Sequence, residues 1–401
     1  MSRQRAGAVA SLGTAQTLAW ASTYYLPAIL AAPIARDLGT SVPTVFAAFS
    51  VALIVSALIG PRSGAAIDRS GGRPVLMATS AVFALGLAGL GLSQGPVGLF
   101  AAWVVIGVGM GSGLYESAFA ALVRLYGQDA RKSITGITLI AGFASTVGWP
   151  LSAWLESHFG WRNACFAWAA LHALVGLPLN ALLPRAGPAP AADAKAEAPS
   201  TALPAQPTSA EPPLRSTVIL SFVFAATWFI STSMAAHLPR LMQAAGASVA
   251  TAIAVGSLIG PAQVAARVLE FGFLSRLHPL FSARMASAMH PLGAVLLLWG
   301  GPACAPLFGV LHGAGNGILT IAKGTLPLAV FGPEGYGRRQ GLLMVPARVA
   351  QALAPWAFGW ALDLWGAGAL KLSAAIGCAA LVALAFLPAS KGLSGPRSRG
   401  P

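Results

Sequence analysis

Ionisable side chains inside long apolar stretches are the residues of this sequence with the clearest chemical potential. Glu116 is an acid within such a stretch, and Arg267, Lys323 and Arg348 are bases in similar surroundings. A charge in a hydrocarbon environment costs at least a few kcal/mol, so it usually faces an aqueous cavity or an opposite charge. These residues predict either a binding site for a small charged molecule or a set of buried ion pairs.

Two interpretations of these charges stay open. In the first, Arg267, Lys323 and Arg348 line a cationic site for an anionic substrate, and Glu116 carries a coupling proton. In the second, Arg267 pairs with Glu270, Glu116 pairs with a cation in the other half of the chain, and all of them are structural. Binding sites and ion pairs use the same residue types, so the sequence supports both.

Three further residues are candidates for substrate binding or coupling. His312 directly precedes the segment Gly313–Gly317, where a helix backbone can loosen, and Asn316 lies within that segment. His312 is either a proton relay or a hydrogen-bonded bystander. Tyr24, like Trp228, either faces a cavity or packs between helices.

Motifs of the common catalytic and metal-dependent classes are absent from the sequence. There is no G-x-x-x-x-G-K-[ST] loop, which argues against ATP-driven transport, and no H-E-x-x-H or G-x-S-x-G motif. The three cysteines are isolated within apolar runs, so we expect neither a metal site nor a disulfide. We expect no cofactor and no enzymatic activity. A membrane-embedded enzyme or sensor would need clustered catalytic residues or an added soluble domain.

The elements that position these residues are predicted to be membrane spans. Of the 401 residues, 56% are apolar and only 9% are charged, whereas soluble domains carry roughly 25% charge. The mean hydropathy is +0.71. This composition excludes a soluble enzyme, a disordered scaffold and a disulfide-rich secreted module.

Apolar runs of about 20 residues are long enough to cross a bilayer as helices. The sequence therefore predicts an all-α integral membrane protein with twelve transmembrane helices in two six-helix bundles. The predicted spans are 9–34, 43–67, 74–93, 97–122, 134–157, 164–183, 217–243, 250–273, 280–300, 303–329, 341–362 and 368–387.

The chain divides into two bundles joined by a linker. Residues 184–215 are rich in proline and alanine and cannot bury apolar surface, so we predict a cytoplasmic linker there. The bundles are predicted at 1–183 and 216–388, followed by a cytoplasmic tail at 389–401.

Basic residues indicate how the spans are oriented. The net charge of +14 could suggest a nucleic-acid partner, but lysine and arginine on one side of a bilayer set orientation instead. Seventeen basic residues fall in the loops on the side of the termini and four on the opposite side. We therefore expect a monomer in a bacterial inner membrane, with both termini cytoplasmic, a lipid environment and no nucleic-acid partner.

The two halves carry an internal repeat. The segment 55–61 reads V-S-A-L-I-G-P, and 255–261 reads V-G-S-L-I-G-P. The segment Gly111-Ser112-Gly113 is matched by Gly315-Asn316-Gly317. Repeated halves related by an axis along the membrane normal are a transporter architecture, with the substrate site between them.

A motif between the second and third spans carries a family resemblance. Gly64, Asp68, Arg69, Gly71 and Arg73 follow the spacing G-x-x-x-D-R-x-G-x-R. The segment resembles the G-x-x-x-D-R-x-G-[RK]-[RK] signature of the major facilitator superfamily, with a glycine at position 72 where a basic residue is usual. Asp68 at a helix end can meet the positive N-terminus of a facing helix or pair with a loop arginine.

The resemblance implies that this motif is a cytoplasmic latch that opens during transport, whereas Arg69 and Arg73 alone could simply set orientation. It also implies a secondary transporter that moves a small solute by alternating access, with or without proton coupling. A small organic acid or metabolite is the predicted substrate, and efflux of drugs or toxic compounds is the alternative.

Overall fold

The fold is entirely helical over the residues that the structure describes. The computed structural model describes residues 3–187 and 214–387. Most of the predicted linker and the whole predicted tail at 389–401 lie outside these ranges, so both stay predictions.

The described chain forms α-helices joined by short turns. They are α1 (Arg3–Ser22), α2 (Pro27–Asp37), α3 (Val42–Ser70), α4 (Gly72–Leu92), α5 (Pro96–Gly113), α6 (Tyr115–Tyr126), α7 (Arg131–Ala141), α8 (Ala144–Leu171), α9 (Leu177–Ala181), α10 (Leu214–Ala244), α11 (Val249–Gly272), α12 (Pro279–Gly300), α13 (Ala305–Phe331), α14 (Tyr336–Trp365) and α15 (Ala369–Ala385).

Within residues 3–187 and 214–387, eight continuous helical stretches are long and apolar enough to cross a membrane. The longest, Pro96–Ala181, has 86 residues, which is several membrane thicknesses at about 1.5 Å per residue. It is interrupted at Gly127 and Gly160, and two other long stretches are interrupted at Gly301 and Gly366, all with positive φ. Divided at these glycines, the eight stretches accommodate the twelve predicted spans.

The internal repeat is visible in how glycines pack the helices. In the first half, a β-carbon at Gly107 would lie 2.6 Å from the carbonyl oxygen of Ala52, so α5 contacts the backbone of α3. In the second half, a β-carbon at Gly313 would lie 2.6 Å from the carbonyl oxygen of Ile259, so α13 contacts α11 in the same way. Corresponding helix pairs of the two halves therefore both depend on a glycine for close contact.

The expectation that the backbone loosens at Gly313–Gly317 is wrong. Helix α13 runs from Ala305 to Phe331 through this segment. A β-carbon at Gly317 would lie 2.5 Å from the carbonyl oxygen of Gln263. These glycines thus serve close packing against α11, and that packing keeps the helix straight.

Helix breaks occur within spans of the first half. The first breaks between Ser22 and Pro27, the fourth at Leu114, which has extended backbone angles, and the fifth at Gly142–Phe143. The sixth contains a single π-helical turn at His172–Gly176. Such interruptions within the membrane are common where a site must be formed.

The halves are joined mainly at one end, which we call the Asp68 end because Asp68 lies there together with the first turns of α1 and α14. The opposite end, which contains Trp154, we call the Trp154 end. At the Asp68 end, α3 and α14 cross with their backbones in contact. A β-carbon at Gly64 would overlap the carbonyl of Gly337, and one at Gly341 would lie 2.6 Å from the carbonyl of Gly60.

Candidate functional site

A largely buried ion pair joins the two halves of the chain. The break at Leu114 starts a new helix, α6, and places Glu116 in its first turn, where the helix dipole favours a negative charge. An oxygen of Glu116 accepts a hydrogen bond of 3.0 Å from Arg348, whose side chain is only 3% exposed. Arg348 also donates to the side-chain oxygen of Gln351 at 2.9 Å. The two sequence candidates therefore contact each other across the halves.

Lys323 lies beside this pair without an acid of its own. Its ammonium is 4.0 Å from the ring centre of Trp228, a cation–π contact, and the guanidinium of Arg348 is 5.5 Å from the same ring. Pro327 lacks the N–H that would bond the carbonyl of Lys323, and the side chain of Gln340 donates to that carbonyl at 3.0 Å instead. This bond ties α13 to α14 at the site.

Aromatic side chains form a wall next to the charges. Trp20 is stacked on Trp228, with ring centres 6.3 Å apart and planes inclined by 7°. Tyr24 and Tyr115 contact Trp20 at 5.3 and 4.9 Å between ring centres. Among the described residues, the buried indole N–H groups of Trp20 and Trp228 have no hydrogen-bond partner. We call Trp20, Tyr24, Tyr115 and Trp228 the aromatic wall.

Arg267 lies nearby, but its partner is not the predicted one. Its guanidinium donates to the carbonyl oxygen of Thr138 at 3.1 Å, next to the break in span five, and Gly142 leaves room for it. The predicted pair between Arg267 and Glu270 is wrong, because Glu270 bonds Arg131 of α7 at 3.1 Å.

The buried charges of this region do not balance. Glu116, Arg267, Lys323 and Arg348, which we call the charged cluster, contain three bases and one acid, and Lys323 is within electrostatic range of the other three. Buried charges are usually paired. An anion would therefore be attracted to the cluster.

His312 and Asn316 lie outside this cluster. His312 bonds Asn316 at 3.0 Å and approaches His290 of α12 at 3.3 Å. His312 is eleven residues before Lys323 on α13, a rise of roughly 16 Å. Tyr24, in contrast, lies in the aromatic wall. Its ring packs against Trp20.

Asp68 ties α3 to the start of α14 at the Asp68 end. Its two carboxylate oxygens accept hydrogen bonds of 2.8 Å from the backbone N–H groups of Gly337 and Arg338, at the N-terminus of α14. Of the two predicted partners for Asp68, a helix N-terminus and a loop arginine, the structure has the first. The side chain of Arg124 donates to the carbonyl of Asp68 at 3.1 Å.

The other motif residues shape the turn. Gly71 has a φ of +81°, which favours glycine, and it separates α3 from α4. Arg69 is exposed and Arg73 is partly exposed. Gly72, where the motif departs from the usual basic residue, is buried, and a β-carbon there would overlap the side chain of Ala121. A longer residue does not fit at this position.

Arg131 forms a second contact between the halves at this end, which we call the Arg131 clasp. Besides Glu270, Arg131 bonds the carbonyl oxygens of Leu277 and Leu274 at 2.6 and 3.3 Å, just beyond the C-terminus of α11. Burial, followed by the charges of Arg131 and Arg284, lowers the pKa of the neighbouring His278. This histidine therefore stays neutral at neutral pH and does not compete for Glu270.

Arg131→Gln is expected to open the Asp68 end more often, because Glu270 then loses its charged partner. A charge-assisted hydrogen bond contributes about 1.5–3 kcal/mol, so the opening equilibrium should shift by about tenfold. The reporter is Leu328→Cys, since Leu328 is buried against the first half, and maleimide labelling of this cysteine should rise. Arg240→Gln is the matched control, because the pair Arg240–Asp363 lies within the second half and is exposed. Equal labelling in both variants would show that the clasp does not hold the end closed.

The comparisons with known proteins agree with this geometry. The family model of the Major Facilitator Superfamily matches residues 12–307. The chain belongs to the major facilitator superfamily. The resemblance carried by Gly64–Arg73 is thereby confirmed.

The matches to a relative and to two solved structures each cover nearly the whole chain of this superfamily member. An uncharacterised 38 kDa protein in the 23S RNA operon of Thermoproteus tenax is 31% identical over 376 residues, 93% of this chain and 92% of that protein. The fold matches the human organic anion transporter MFSD10 (TETRAN) with a TM-score of 0.73 at 18% identity, covering 96% of this chain and 100% of the other. It also matches the proton:xylose symporter XylE, bound to 6-bromo-6-deoxy-D-glucose, with a TM-score of 0.71 at 14% identity, covering 96% and 97%.

Sequence reasoning missed several residues around the site. Trp20, Tyr115 and Gln351 are indistinguishable in the sequence from residues that pack helices together. The three-residue spacing of Arg348 and Gln351 places this pair on one face of α14. That spacing was the available signal for Gln351.

Proposed function

We propose that this superfamily member is a secondary transporter for a small organic anion, which binds between the charged cluster and the aromatic wall. The observation that carries the proposal is the excess of basic side chains in a buried region where the halves meet, with three bases against one acid. Uncompensated buried charge is costly, and an anionic substrate would offset it.

The arrangement suits an anion with an apolar body. Lys323 and Arg348 supply donors for a carboxylate, and the stacked rings of Trp20 and Trp228 supply a flat apolar surface. An organic anion transporter is among the proteins of similar fold, which supports this substrate class. Efflux of drugs or toxic compounds is the second candidate, favoured by the size of the aromatic wall.

We further propose how the molecule is oriented and where it works. The Asp68 end, which contains the predicted positive loops, faces the cytoplasm of a prokaryote, with both termini on that side of the plasma membrane. The closed Asp68 end then corresponds to a state in which the substrate enters from the other side. Transport proceeds by alternate opening of the two ends.

The test is a thermal-shift panel of acids and their uncharged counterparts on the purified protein. Benzoate, succinate and oxalate are compared with benzamide, succinamide and oxamide, and xylose is included. We expect at least one acid to raise the melting temperature while its amide does not, because only the acid offsets the charged cluster. An acid that binds is then assayed for uptake into proteoliposomes. Stabilisation by amides or xylose alone would overturn the anion proposal.

A further inference from the structure

Glu116, the acid of the charged cluster, already has a partner. Glu116 accepts a 3.0 Å hydrogen bond from Arg348 and lies at a helix N-terminus. The carboxylate of Glu116, to which the first of the two interpretations gave the coupling proton, is thus already engaged by Arg348.

Lys323 differs from the other two bases of the charged cluster in its contacts and in its ability to lose its side-chain proton. Arg348 contacts Glu116, and Arg267 contacts the carbonyl of Thr138, whereas the ammonium of Lys323 lies on the ring of Trp228. A guanidinium keeps its proton under all ordinary conditions, but a lysine amine can become neutral. Lys323 is therefore the one base of the charged cluster that can exist uncharged.

The surroundings of Lys323 come from several helices. The charged or titratable side chains within electrostatic range of it are Glu116 of α6, Arg267 of α11, His290 of α12 and Arg348 of α14. Two of these are permanent cations, and the acid is bound to one of them. An added anion would consequently be the main new negative charge that Lys323 meets.

We propose that Lys323 takes up the coupling proton, so that an organic anion and one proton bind together. The proposal rests on the anion site described above. One proton from water bonds to the lone pair of the Lys323 nitrogen, and the resulting ammonium donates a hydrogen bond to the bound carboxylate. No other bond changes, and release of the anion returns the proton to the opposite solution.

Thermodynamic linkage gives the proposal a measurable consequence. If the anion favours the protonated amine, anion binding must draw protons from solution, and a higher pH must weaken anion binding. An arginine at this position would keep the charge but remove the titration. Replacement by glutamine would remove both.

The experiment measures the protons taken up when benzoate binds to the full chain in detergent. Calorimetric titrations near pH 7.5 are run in two buffers of different ionisation enthalpy, which yields the number of protons per benzoate bound. We expect a positive number of up to one for the wild type, and Glu116→Gln is titrated alongside to test whether Glu116 carries the proton instead. We expect Lys323→Arg to bind benzoate without proton uptake and with an affinity that does not depend on pH. Lys323→Gln should bind at least about tenfold more weakly, also without proton uptake.

The other possible outcomes overturn either the role of Lys323 alone or the anion site as well. Proton uptake that persists in Lys323→Arg or Lys323→Gln, or that disappears only in Glu116→Gln, would remove the role from Lys323. Benzoate binding to the wild type without proton uptake would do the same and leave the anion site standing. Failure of benzoate, succinate and oxalate alike to bind to a wild type whose melting is cooperative would overturn the anion site and this assignment together.

Discussion

Gly64→Leu is expected to abolish transport while the protein still inserts into the membrane. A β-carbon at Gly64 would overlap the backbone carbonyl of Gly337, and a carbonyl within a helix cannot rotate away as a side chain can. Overpacking costs about 1–3 kcal/mol even where side chains yield. The closed population of the Asp68 end should therefore fall by at least about tenfold, and the alternation of the two ends should stop.

Two measurements on Gly64→Leu check this expectation, and the repeat supplies a matched control. Gly260 precedes a proline in span eight as Gly60 does in span two, and a β-carbon there would meet open space. Gly260→Leu should thus leave both proteoliposome uptake and the maleimide labelling of Leu328→Cys unchanged. Gly64→Leu should abolish uptake and raise the labelling. Wild-type labelling and uptake in Gly64→Leu would show that α3 and α14 need not touch.

Arg348→Gln is expected to cause the largest loss of stability among changes at the site. It leaves Glu116 buried opposite a neutral side chain, and removing one partner of a buried ion pair costs about 3–5 kcal/mol. Arg348→Gln with Glu116→Gln should recover most of the melting temperature, since no charge is then left unpaired. The double variant should still fail to bind benzoate, because a site for an anion needs the charge of Arg348.

The control and the contradicting outcomes separate a structural role of Arg348 from a binding role. Arg240→Gln breaks the exposed pair with Asp363, and exposed pairs contribute about 0–1 kcal/mol, so its melting temperature should barely change. Recovery of both stability and benzoate binding in the double variant would make the pair purely structural. An unstable double variant would show that Glu116 and Arg348 do not act as a unit.

Much of the fold could be predicted because hydropathy is a local property of the chain. The predicted span 43–67 corresponds to the helix Val42–Ser70, and 217–243 to Leu214–Ala244. The position of the breaks was less predictable. Glycines at 313–317 look like a break in the sequence but pack against α11, whereas the break at Leu114 follows Gly113 in an apolar run.

The members of the site could be predicted, and so could the pairing of Glu116 with a cation of the other half, but the partners of Arg267 and Glu270 could not. Glu116, Lys323 and Arg348 stand out because charge in an apolar stretch is costly. The choice of partner depends on the rotation of helices in different halves, which one sequence does not encode locally. Glu270 is one turn from Arg267 on the same helix, yet it contacts Arg131, 139 positions away.

The interruptions of the first half also have a mechanical consequence. Helices that break at Leu114 and at Gly142–Phe143 lack part of their continuous hydrogen-bond ladder, so they bend at these points at lower energy than along their unbroken turns. One break lies next to Glu116, and the other lies next to the carbonyl oxygen of Thr138 that Arg267 contacts. Strain arising when a guest molecule enters is therefore absorbed at hinges beside the charged cluster, and not along the whole length of a helix.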